Sequence, residues 1–197
     1  MLPILTGRMI NSRTVAADAL IVASLVGLDA AARLLPHAPD FTPVAASALF
    51  AASVLSVRAL ALLVPIASLM LGDAALGFYD FRIMIIVYAM LALPAGVAFL
   101  PRQLRRPRLI VPLLLSSSLL FFLATNFAVW AFSAMYPPSA AGLFNCYIAA
   151  LPFLRNMLAG DLFWSLVLFG LYALARGIRA PRNEGLTVHL AAARARS

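Results

Sequence analysis

The chain has 197 residues, 64% of them hydrophobic, and carries a formal net charge of +8. Its mean hydropathy is +0.99, whereas soluble domains are only roughly half apolar, so an ordinary soluble fold is excluded. All 15 basic residues are arginine, and the single cysteine, Cys146, leaves no internal disulfide and no cysteine-based zinc site.

Apolar stretches run over residues 14–35, 43–57, 59–72, 83–100, 110–133, 139–154 and 162–177. The first follows Arg8 and Arg13, as in a signal peptide, but Asp29 and Arg33 close it and further spans follow. It is therefore expected to be an uncleaved first helix. The stretch 43–72 is interrupted by Arg58. Reading it as one helix would put the arginine-rich segment Arg102–Arg108 outside, so it is split there into two short spans. Residues 139–154 contain Asn145 and Pro152 and follow Tyr136-Pro137-Pro138. They are expected to form an additional helix within a long outer loop over residues 134–161.

This threading gives an all-α membrane protein with six transmembrane helices and both ends inside. Residues 1–179 form a single six-helix domain, and residues 180–197 a polar cytoplasmic tail expected to be disordered. Twelve of the 15 arginines then lie on the cytoplasmic side, leaving only Arg33, Arg82 and Arg155 for the other face. Short arginine-rich loops stay in the cytoplasm because carrying them across is unfavourable. The positive charge thus follows the lipid bilayer, and no nucleic-acid partner is needed to explain it.

Polar residues at membrane depth are costly, so their positions are informative. Asp29 and Arg33 lie four apart on the first helix and can pair on one face. Asp73, Tyr79, Asp80 and Arg82 flank the second outer loop. Asn126 and Trp130 belong to the fifth span, and Arg155, Asn156 and Asp161 precede the last. All fall in the outer half, where Asp73, Tyr79, Asn126, Trp130, Arg155, Asn156 and Asp161 form a candidate small-ligand site. The charges also read as helix anchors, Asn126 as a bond between helices, and the aromatics as an interfacial belt. Ala19, Ala23 and Gly27 recur at every fourth position of the first helix. Small residues at that spacing let a second helix approach closely, either inside the bundle or in a partner.

No metal-binding His-Glu-x-x-His, nucleophile elbow or phosphate loop is present. The chain is read as a non-enzyme with no metal and no cofactor, and it has no ATPase motif of its own.

The blocks Phe41-Thr42-Pro43-Val44-Ala45-Ala46, Thr125-Asn126-Phe127-Ala128-Val129-Trp130, Ala149-Ala150-Leu151-Pro152-Phe153 and Gly160-Asp161-Leu162 resemble a family of small bacterial membrane proteins of unknown function. That family in turn is similar to the substrate-binding S components of energy-coupling factor (ECF) vitamin transporters. Ala19-Leu20-Ile21-Val22-Ala23 matches their docking strip, and Pro65–Asp73 looks like the end of their third helix. The resemblance implies an outward pocket roofed by loops, a vitamin-like small-molecule ligand, and docking on a transmembrane coupling subunit with ATPases. It implies uptake across the bacterial inner membrane, with no substrate signature to name the ligand. The alternative is a non-transporting membrane subunit that packs into a larger complex.

Overall fold

The computed structural model describes residues 11–101 and 107–179; the 180–197 tail lies outside them. The described residues are all-helical, with six α-helices: α1 (Ser12–Leu34), α2 (Val44–Val54), α3 (Leu63–Leu76), α4 (Phe81–Ala92), α5 (Ile110–Phe132) and α6 (Ala140–Arg179). A 3-10 segment, Arg58–Leu62, leads into α3, and another, Leu93–Phe99, continues α4. Counting these extensions, five helices are long and apolar enough to cross a membrane, while α2 is shorter. Large apolar side chains such as Leu20, Phe81, Met135 and Leu166 are exposed on the outside, as expected of a bundle with a lipid-facing surface. The chain is thus a multi-pass, membrane-type helical protein.

Local chemistry sets the helix ends. The Asn11 side chain accepts a hydrogen bond from the Arg13 N–H and caps α1, satisfying one of the donors that a helix start leaves unpaired. Gly77 closes α3 at φ 104°, a conformation that side chains with a Cβ rarely adopt. Asp80 caps α4 through the Arg82 N–H. It also takes the Arg82 guanidinium at 3.1 and 2.7 Å. Those bonds, with the backbone one, hold the Asp80 carboxyl down to about 2.

The split at Arg58 is present: α2 stops at Val54 and the chain turns before Arg58. What makes the turn is Asp18, whose carboxylate accepts the N–H groups of Ser56 at 2.9 Å and Val57 at 2.8 Å. The second span is shorter than the sequence suggested. Its 11 residues cover about 16 Å, against roughly 30 Å of hydrocarbon. It sits at the centre of the bundle, with Val44 to Ala52 buried throughout. Around it pack Leu25, Ala61, Val64, Ala95, Val97, Ala98 and Leu114.

Side-chain contacts fix the helix directions. Asp18 of α1 meets the turn after α2, and Asp29 meets Ser47 near the start of α2, so these two helices run in opposite senses. Asp29 also meets Ser68, and Arg33 meets Asp73, so α1 and α3 run the same way. The Arg82 guanidinium lies over the Phe132 ring, which brings the start of α4 to the end of α5. Tyr147 reaches Leu123 and Asp161 reaches Ser118, so α6 descends as α5 rises. Arg13, Arg58, Arg108 and Arg176 accordingly mark one end of the bundle, and Arg33 and Arg82 the other.

One expectation is corrected. Residues 140–179 form a single helix of 40 residues, so there is no separate additional helix and no outer loop over 134–161. The sequence places the break at residues 155–161, after a stretch that contains Pro152. A proline removes one backbone donor, which helices at membrane depth tolerate when neighbouring groups compensate. Within this polar stretch Met157, Gly160 and Asp161 are buried against the bundle, which holds it helical. At 1.5 Å per residue the rod is about 60 Å long, twice a hydrocarbon core.

Candidate functional site

The site is built from the end of the bundle marked by Arg33. A cavity of about 240 Å³ opens there, walled by Arg33 of α1, Asp40 and Thr42 of the first connection, and Ala45 of α2. Tyr79 joins from the loop before α4, and Val87, Met90 and Leu91 from α4 itself, with Pro94 just beyond it. Ser117, Ser118 and Phe121 of α5 and Met157 and Asp161 of α6 complete it. It is somewhat smaller than the roughly 300–1,000 Å³ typical of drug-sized sites, so it suits a compact ligand.

Several polar groups in and behind the wall are held by defined neighbours. Asp73 is buried and bonds the Arg33 guanidinium as an ion pair. Its other oxygen accepts from the Tyr88 hydroxyl at 2.9 Å. Gly72 makes this arrangement possible, because a Cβ there would collide with the Arg33 guanidinium. Asp29 does not pair with Arg33 as expected from their spacing. It is fully buried and accepts instead from Ser47 at 2.7 Å and Ser68 at 3.1 Å. On α6, Gly160 lets the helix backbone meet Phe41, whose Cα would lie 3.1 Å from an added Cβ. This contact sets Asp161 beside the mouth loop. At the mouth, burial raises the Asp40 carboxyl, with His37 and then Arg33 opposing the shift. Burial likewise raises the Tyr79 phenol, and the charge of Asp73 adds to it.

The expected site residues divide by position. Tyr79 and Asp161 line the cavity. Asp73 stands one layer behind it and orients Arg33. Asn126 lines a smaller adjoining cavity of about 170 Å³ with Thr125, Phe153 and Leu154, and its amide donates to the Phe122 carbonyl of its own helix at 2.8 Å. Trp130 donates its indole N–H to the Pro137 carbonyl, fixing the α5–α6 turn. Arg155 is exposed and Asn156 half-buried, and neither lines these two cavities. Cys146 is buried, with its thiol 3.4 Å from the Asn126 carbonyl. Sequence reasoning missed Asp40, Thr42, Ser117 and Ser118. The adjacent serines of Ser116-Ser117-Ser118 inside an apolar span were the available signal. Among the described residues no group of three or more His, Cys, Asp or Glu is arranged to hold a metal ion.

Ala19, Ala23 and Gly27 are exposed on the outer face of α1, and a Cβ added at Gly27 would meet nothing within 4 Å. The buried face of that helix carries Asp18, Leu25 and Asp29 instead. The strip therefore takes no part in packing within the bundle.

A family model, described as a family of unknown function (DUF6580), matches residues 13–183. The chain belongs to this family. The match takes in all six helices, the cavity and the strip on α1. No curated protein and no solved structure matches the chain, so none of the comparisons links it to S components.

Proposed function

We propose that this DUF6580 protein binds a small polar nutrient in the cavity at the Arg33 end and serves in its uptake across the bacterial inner membrane. The observation that carries the reading is the cavity itself. It combines an apolar wall with Arg33, Tyr79, Ser118 and Asp161, and a concave apolar pocket with a few fixed polar groups is the usual form of a small-ligand site. Ionisable groups at membrane depth are expensive and are kept mainly where they serve a ligand or an ion. The arginine distribution supports an outward mouth, because the opposite end carries Arg13, Arg58, Arg108 and Arg176. The protein has no energy source of its own, so uptake depends on a partner, in the manner of an ECF S component with its coupling subunit and ATPases. The exposed Ala19/Ala23/Gly27 strip is where a partner helix would dock.

That strip equally favours a second reading, a non-transporting subunit of a larger membrane complex. The two differ in whether the cavity binds anything. Purified full-length protein in detergent is screened against small polar metabolites by thermal unfolding, and co-purifying molecules are identified by mass spectrometry. A ligand at a hundred times its Kd stabilises the fold by about 2.7 kcal/mol, a readily measured shift. At least one compound should produce it, and Ser118→Ala should weaken it. If nothing co-purifies and nothing stabilises the protein, the subunit reading replaces the transport reading.

A further inference from the structure

Among the described residues four carboxylates are buried in the bundle: Asp18, Asp29, Asp73 and Asp161. Three of them have two donors each. Asp18 takes two backbone N–H groups, Asp29 two serine hydroxyls, and Asp73 a guanidinium and a phenol. Asp161 differs. Its one protein donor among the described residues is Ser118, whose hydroxyl also lies 2.9 Å from the Leu114 carbonyl. A hydroxyl has a single proton to give, so Asp161 shares even that one donor. It has no ion-pair partner among the described residues. It is also the only one of the four that lines the cavity.

We infer that the ligand carries a cationic nitrogen, a protonated amine or similar group, and that Asp161 is its counter-ion. The inference rests on the small-ligand reading above and specifies the ligand's class. A carboxylate oxygen at membrane depth with no donor is costly, and an ammonium group supplies both the missing donor and the missing charge. The charge balance of the wall points the same way. Arg33 gives a terminal nitrogen to Asp73 and leaves its buried Nε without a partner, whereas among the described residues no ion pair reaches Asp161 or Asp40. An anionic ligand would face two carboxylates. Tyr79 and Phe121 add aromatic faces to the wall, and such faces attract cations. Val87, Met90 and Leu91 leave room for an apolar carbon body.

The test uses full-length protein in detergent and a panel of small primary amines. Each amine is run beside the alcohol and the carboxylate of the same carbon skeleton, with affinity read by calorimetry. The amines should bind best, Asp161→Asn should lose roughly tenfold or more in amine affinity, and Asp161→Glu should keep the amine preference. Alcohols or carboxylates binding as well as their amines, or an Asp161→Asn variant that retains amine affinity, would overturn the inference while leaving small-ligand binding intact. Should Asp161→Asn not fold, the wild-type ranking of amine over alcohol decides by itself. Binding by no member of any class overturns the small-ligand reading and this inference together.

Discussion

The Arg33–Asp73 pair offers the sharpest test of the wall's construction. Arg33→Met keeps an unbranched apolar stem but removes the guanidinium and its charge. Asp73 would then stay in place with its side chain only 3% exposed, and the Tyr88 hydroxyl would be its sole donor. Removing one partner of a buried ion pair costs about 3–5 kcal/mol, because the remaining charge is left uncompensated. Arg33 is itself 19% exposed at the side chain, so water reaches part of the pair and the lower half of that range applies. The double variant Arg33→Met/Asp73→Asn removes the stranded charge while leaving an oxygen for Tyr88, and it should recover most of the loss. Both are measured as unfolding free energies in mixed detergent micelles, following the fluorescence of Trp130 and Trp164. A loss below about 1 kcal/mol for Arg33→Met would refute the reasoning, since it would mean the pair is effectively solvated. Failure of the double variant to recover would do the same, by showing that the cost was packing rather than charge.

Two further outcomes are expected. With Cys146→Ser as background, a cysteine at position 76 should react with an impermeant reagent added to intact cells and one at position 103 should not; labelling at 103 would reverse the membrane orientation. Ala23→Leu should leave the unfolding transition of the isolated protein within about 0.5 kcal/mol of wild type, because surface changes away from packed features rarely do more. It should also abolish co-purification with any membrane partner, and a partner complex that survives the added bulk would remove the strip from the docking surface.

The helices were legible because each long span is an apolar run bounded by arginine, proline or glycine. The turn at Arg58 was legible for the same reason. The continuity of α6 was not, since Pro152 and the polar residues from Arg155 to Asp161 have the composition of a loop. They stay helical only because neighbouring helices bury Met157, Gly160 and Asp161. Partner choice within the bundle was also hidden. Spacing brings Asp29 within reach of Arg33, yet α3 presents Ser68 and Asp73, five residues apart, to α1. Ser68 then bonds Asp29, and Asp73 takes Arg33. Pairing across helices depends on their rotation, which one sequence does not reveal. Asp161 was picked out as a polar residue at depth, whereas its shortage of donors appears only once Ser118 and Leu114 stand beside it.

The burial of α2 bears on how the protein is assembled in the membrane. A helix of 11 residues is too short to be held in the bilayer by its own hydrophobicity. It has no lipid-facing side on which to rest while its neighbours arrive. Its insertion is therefore tied to that of α1 and α3, the three entering as one unit around the Asp18 and Asp29 bonds. Biogenesis of the whole bundle then hinges on two aspartates that never touch the cavity, and losing them would show first as degraded protein rather than as a binding defect.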